Sequence, residues 1–191
     1  HEQEEYFKVV ATAAGKVNSE WKAKTVHRTH GRMSFKGQKM SSRLGGVPLA
    51  QTLLDTLFDE VKERATRELT HEGIDAVAIA ALKFSILRVM AGKNINFDPD
   101  TSLSFEGDSG PYLQYTSVRA KSVLAKAKAE NIFPEYQMPA EWSLTMLERL
   151  LGRFPEVVGQ SIELWAPHHL VTYLLMLGQA FNTWYGETKI V

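Results

Sequence analysis

Lys39-Met40-Ser41-Ser42-Arg43 puts two cations and two hydroxyls within five residues. Gly37 precedes the run and Gly45-Gly46 follow it, so the backbone there can turn sharply and approach a ligand closely. Such a loop can contact a polyphosphate, with Lys39 as a point charge and Arg43 as a planar fork for phosphate oxygens. Ser41 and Ser42 would donate hydrogen bonds. Mobile cations of this kind meet the charge that develops on a departing pyrophosphate. The same pentapeptide is also compatible with an exposed basic surface loop. A second set is Tyr112, Tyr115 and Arg119, spaced i, i+3 and i+7, so they share one face of a helix. Aromatic faces beside a guanidinium suit stacking on bases and contact with a nucleic-acid backbone. Trp184 and Tyr185 offer further stacking surfaces near the end of the chain. Periodicity alone favours core packing for these aromatics, with Arg119 as a structural arginine.

These groups need elements to hold them. Tyr6, Phe7, Val9, Val10 and Ala13 have helical spacing, with Gly15 as the expected stop. Residues 23–29 alternate as a strand does, and 31–46 reads as a glycine-punctuated basic loop. Pro48 can open a helix, since its missing N–H costs nothing at the first position. Leu49, Leu53, Leu54, Leu57, Phe58, Val61 and Ala65 then recur along one face. Glu60 with Arg64 and Glu63 with Arg67 are i,i+4 pairs on the other. Residues 74–90 are apolar nearly all round, which predicts a buried central helix ended by Gly92. A polar connection over 94–105 holds a short extended piece at 95–97. Asp108-Ser109-Gly110-Pro111 then starts a helix expected to reach about Glu130. After a loop over 133–140, three more helices are expected over 143–151, 155–165 and 167–185.

The 191 residues suffice for one large or two small domains, and 44% hydrophobic with 23% charged residues excludes a disordered chain. No apolar run is long enough for a membrane span, and the start lacks the layout of a signal peptide. The absence of cysteine excludes disulfides and thiolate metal sites. Net charge is zero, but from Lys16 to Arg43 eight basic residues face only Glu20, a local excess of +7 that favours phosphate. His27 and His30, and His168-His169, lack the further ligands a zinc site needs. They are read as structural, as is Arg88, which either reaches solvent from an apolar helix or is paired.

Gly107-Asp108-Ser109-Gly110-Pro111-Tyr112-Leu113-Gln114-Tyr115, with Arg119, resembles the G-[DN]-[ST]-G-P-Y-L-Q-Y-x-x-x-R segment of arginyl-tRNA synthetases. Ala81-Leu82-Lys83-Phe84, Asn96-Phe97-Asp98 and Pro167-His168-His169-Leu170 resemble other stretches of that family, in the family's order. Tyr173-Leu174, Ala180-Phe181 and Trp184-Tyr185 extend the last of these. Lys39 to Arg43 then resembles the K-M-S-K-S loop of class I synthetases, except that Ser42 stands where that pattern has a second lysine. Another class I enzyme would share this loop but not the G-P-Y-L-Q-Y segment.

The resemblance implies a mainly α chain: residues 1–47 as the small α/β end of a Rossmann-type catalytic domain, and 48–191 as a connecting helix and helical-bundle anticodon-binding domain. It implies a fragment of an arginine–tRNA ligase, without the upstream H-I-G-H motif or the arginine pocket. By the same resemblance Lys39, Ser41 and Ser42 are the catalytic contacts, and Lys39, Met40, Ser41, Ser42 and Arg43 bind ATP phosphates. Tyr112, Tyr115, Arg119, Trp184 and Tyr185 are the candidate tRNA contacts. ATP and Mg²⁺ are the expected cofactors, with no protein-bound metal. Arginine and its tRNA are the expected substrates, the location is cytoplasmic, and the chain is expected to be monomeric and, by itself, inactive. Two other readings are a stand-alone tRNA-binding helical module and a protein-interaction scaffold.

Overall fold

The computed structural model describes residues 3–35, 38–39, 50–66, 68–134, 143–188 and 190, with the backbone alone at 38–39. Helices α1 (Glu4–Val17) and α2 (Ser19–Lys24) are followed by strands β1 (Met33–Phe35) and β2 (Gln38–Lys39). Next come α3 (Ala50–Arg64), α4 (His71–Leu87), β3 (Ile95–Phe97), α5 (Pro99–Ser102) and α6 (Gly110–Ala129). The chain then folds into α7 (Met146–Gly152), α8 (Phe154–Glu163) and α9 (His168–Glu187). The fold is mainly α with one small sheet. Among the described residues no helix is long and apolar enough to cross a membrane.

The sheet has the order β2-β1-β3. β1 pairs antiparallel with β2, Ser34 opposite Lys39, and parallel with β3, Met33 opposite Ile95 and Phe35 opposite Phe97. Parallel neighbours need a long crossover, and here α3 and α4 supply it. The sheet therefore takes strands from both sides of residue 47. At the entry to β1, a Cβ on Gly31 would lie 2.1 Å from the Lys93 carbonyl oxygen, so only glycine lets the two backbones come this close. The Arg32 amide donates to Asn94 Oδ1 at 3.0 Å and the Ile95 amide to the Arg32 carbonyl at 2.8 Å, closing the ladder.

Among the described residues two apolar cores result. Leu53, Leu57 and Val61 form the buried stripe of α3, spaced four apart, and meet Ile74, Ala78 and Ala81 of α4 with Phe97 and Leu103. Leu57 and Phe97 are fully buried, worth about 1.5–3 kcal/mol each in transfer from water. The second core joins Leu150 of α7, Val157 of α8 and Tyr173 of α9, flanked by Leu170, Leu174, Leu177 and Ala180. Tyr173 donates its buried hydroxyl to the Leu150 carbonyl at 2.9 Å, so the phenol is not left unpaired. α6 bridges the cores, packing on α4 with its first turns and on α9 along its middle. Ser109 caps it, accepting from the Tyr112 amide at 3.0 Å and donating to the Ser104 carbonyl. Gln114 donates to the Ala76 carbonyl of α4 at 3.0 Å.

Several expectations are corrected. Gly15 does not stop α1; it lets Lys22 of α2 come close, and the break falls at Asn18, whose side chain accepts from the Glu20 amide. Residues 23–29 form no strand. Asn18 caps a helix over 19–24, braced by Lys24 and Glu20 at 2.8 Å, and the strand β1 falls instead at Met33–Phe35, inside the stretch expected to be a loop, where it pairs with β2 and β3. α4 begins earlier than expected, at His71, because Thr70 caps it by accepting from the Gly73 amide, and it ends at Leu87. It is not buried all round, since Ile79, Ile86 and Leu87 are exposed on the side α3 and α6 leave open. α5 was not expected; Asp98 accepts from the Asp100 amide and Pro99 occupies the first turn. α7 starts at Met146 because Thr145 and Glu148 form a reciprocal capping box. The piece at 95–97 and the helix to about Glu130 are found where expected. Glu60 and Arg64 pair at 2.9 Å, whereas Pro48, Leu49 and Arg67 lie outside the described residues.

Candidate nucleic-acid interface

α6 carries Arg119, Lys121, Lys126 and Lys128 and no acidic residue, so the helix is a cationic rod. Its middle faces α9, and Gly178 makes room there. A Cβ at that position would lie 3.3 Å from Tyr112 Cε1, tighter than an ordinary contact. Four residues of α6 and two of α9 then converge. The Arg119 guanidinium lies over the Tyr115 ring at 4.4 Å and over the Tyr185 ring at 5.0 Å. Its Nη1 donates to Asn182 Oδ1 at 2.8 Å. Asn182 Nδ2 donates in turn to Tyr112 Oη at 3.0 Å and Thr116 Oγ1 at 2.8 Å. Tyr115 and Tyr185 remain 41% and 36% exposed, so aromatic rings flank the cation at the surface rather than in a core. Such a surface can stack on unpaired bases and present N–H groups to their edges or to phosphate.

Four of the five aromatic and cationic residues singled out in the sequence meet here. Tyr112 is half-buried with its hydroxyl bonded, so it supports the cluster; Arg119 is half-buried too, and Tyr115 and Tyr185 form the open side around it. Trp184 sits apart, packed on Phe181 with ring centroids 6.0 Å apart. Asn182 and Thr116 were missed. The sequence signal is their register: 178, 182 and 185 fall on one face of α9, as 112, 116 and 119 do on α6.

The phosphate-loop residues Met40, Ser41, Ser42 and Arg43 lie outside the described residues, and for Lys39 the backbone alone is placed, in β2 at the edge of the sheet. Arg88 is paired: it donates to the Asp108 carboxylate at 3.2 Å and the Asp108 carbonyl at 3.1 Å, joining the end of α4 to the start of α6.

The His168 and His169 rings meet at the start of α9, their centroids 4.2 Å apart and their planes tilted by 34°. Burial, then the neighbouring His169 and Arg28, hold His168 below the usual imidazole pKa. The unfolded chain therefore binds the extra proton first. His168 contributes stability above the ordinary histidine pKa of about 6.5, lost as pH falls through its lower folded value. A urea midpoint should fall between pH 7 and 5, and less so in His168→Gln; an unchanged slope in that variant would contradict the assignment. Among the described residues no three His, Asp or Glu side chains are grouped for a metal ion.

Residues 113–191, which hold all of α6 beyond its first turn and all of α9, match the DALR anticodon binding domain family. The whole chain is 33% identical over 204 aligned residues to an arginine–tRNA ligase of Bacteroides thetaiotaomicron. It covers 34% of that relative, so the chain spans about a third of the length of the curated relatives it matches. The structure of Thermus thermophilus arginyl-tRNA synthetase superposes with a TM-score of 0.68 at 29% identity, over 84% of this chain and 27% of that one. The arginyl-tRNA synthetase of Plasmodium falciparum, at 20% identity and a TM-score of 0.63, covers all of this chain and 34% of its own, and shares the fold.

Proposed function

We propose that this chain, which matches arginyl-tRNA synthetases over about a third of their length, is the part of an arginine–tRNA ligase that grips the anticodon end of tRNA and lends a loop to the ATP site. The observation that carries the tRNA half of this reading is Arg119 held between Tyr115 and Tyr185 on the open face of α6 and α9, within the residues that match an anticodon-binding family. Unpaired anticodon bases offer π-faces to the tyrosines, and their backbone offers phosphates to Arg119 and the α6 lysines.

For the ATP half, the donor set fits the group. A lysine, an arginine and two hydroxyls match phosphate oxygens. Bound ATP would supply the adenylyl group that activates the carboxylate of arginine. Lys39 would neutralise charge on the leaving phosphates, Ser41 and Ser42 would donate to their oxygens, and Arg43 would hold them bidentately. Residues 39–43 contain no carboxylate, so Mg²⁺ would come with the nucleotide. The setting is cytoplasmic, and the chain acts as a monomer. Binding energy at the anticodon end then positions the distant acceptor end for reaction.

Titrating the chain with an arginine tRNA tests the binding half. Affinity should fall steeply between about 50 and 200 mM salt, as phosphate contacts require. With ATP, arginine and tRNA the chain by itself should release no pyrophosphate above background, because these loop residues are one side of a site that must be preorganised on all sides. Salt-independent affinity, or none, would remove the proposal.

A further inference from the structure

Asn182 decides how Arg119 presents its guanidinium, and we infer that it is a positioning residue for RNA recognition, acting through Arg119 without touching RNA. This rests on the reading that Arg119 contacts tRNA. The orientation of the Asn182 amide follows from its partners. Thr116 donates its hydroxyl hydrogen to the Tyr112 carbonyl one turn back, at 2.9 Å. Toward α9 that oxygen can therefore only accept, and it takes its bond from Asn182 Nδ2. Tyr112 Oη accepts from the same nitrogen. With Nδ2 held on that side, Oδ1 faces Arg119 and accepts from Nη1 at 2.8 Å. The reversed amide would set its N–H groups against a guanidinium that can only donate.

The consequence lies in what remains of Arg119. Asn182 uses one corner of the guanidinium, and the Tyr115 and Tyr185 rings flank it. A guanidinium has five N–H donors in a fixed plane, so a fork is left for an RNA acceptor in a set direction. Without Asn182 the charge survives but the side chain regains its rotamers, and RNA must order it on binding. Asn182 therefore governs affinity with no change in charge.

The test uses the 191-residue chain and a labelled anticodon stem-loop of an arginine tRNA, with Asn182→Ala, Arg119→Ala and the double variant. Asn182→Ala should bind about three- to tenfold more weakly, with the salt dependence of the parent chain. The double variant should bind no more weakly than Arg119→Ala. Nitrogen NMR gives a readout that general loosening would not produce: separate Arg119 Nη signals in the parent, merged in Asn182→Ala. Thr116→Val, which frees the amide to turn, should weaken binding in the same direction at unchanged melting temperature, and serves if Asn182→Ala does not fold. If Asn182→Ala binds like the parent while Arg119→Ala is weak, the inference fails and the tRNA reading stands. If Asn182→Ala costs the same factor in the Arg119→Ala background, Asn182 acts elsewhere and the inference fails. If Arg119→Ala itself binds like the parent, the underlying reading falls and this one with it.

Discussion

Arg119→Ala should weaken tRNA binding by about tenfold, the size of a cation and stacking site removed from a single-stranded RNA interface. Three contributions vanish together. The positive charge goes, so the slope of log affinity against log salt should fall by about one. The plate between Tyr115 and Tyr185 goes, and both rings lose the neighbour that lies over them at 4.4 and 5.0 Å. The fork that Asn182 aims goes as well. Arg119→Lys separates these. An ammonium restores the charge and the salt slope but not the planar fork, so affinity should stay well below that of the parent. Tyr185→Leu, which retains apolar bulk without an aromatic face, should lose about 1 kcal/mol or more and leave the salt slope alone. Full affinity in Arg119→Ala at low salt would show that the α6–α9 face is not where RNA binds.

Gly110→Ala should destabilise the chain by about 2 kcal/mol or more, although alanine is ordinarily the better helix residue by about 1 kcal/mol. A Cβ at 110 would lie 2.3 Å from the Ala80 carbonyl oxygen and 2.5 Å from its carbon, and backbone atoms of a packed helix cannot turn aside. α6 would have to move off α4, which strains the Gln114 bond to the Ala76 carbonyl and the buried Ser109 cap. The shift would carry on to Arg119, so tRNA affinity should fall with stability. Gly159→Ala is the control. Nothing lies within 4 Å of a Cβ there, so that change should stabilise α8 by about 0.5–1 kcal/mol. Urea midpoints measure both, and equal midpoints for Gly110→Ala and the parent would refute the close approach of α4 and α6.

Elements with a local cause were legible. α6 begins where Ser109-Gly110-Pro111 offers a cap and a first-turn proline, and α3 follows its leucine stripe. Where local signals were mixed, pairing decided. Residues 23–29 alternate, but it is 33–35 that find β2 and β3 to bond, so the strand formed there. The burial of α4 was misjudged for the same reason. An apolar circumference says nothing of which sides other elements cover, and Ile79, Ile86 and Leu87 are left open.

The candidate interface divides the same way. One-dimensional spacing put Tyr112, Tyr115 and Arg119 on one face of α6, and residue chemistry marked Lys39 to Arg43 as a match for phosphate. Spacing along one helix carries no information about the helix opposite. That α9 lies there, that Gly178 admits Tyr112, and that Asn182 joins the α6 hydroxyls to Arg119 follow from packing alone. Both Trp184 and Tyr185 pack on Phe181, but it is Tyr185 whose ring lies under Arg119, because successive residues of a helix point about 100° apart. The sequence by itself determined the residue types and their helical register. Only the tertiary structure, by docking α6 against α9, decided which of them present a cation to solvent and which hold it in place.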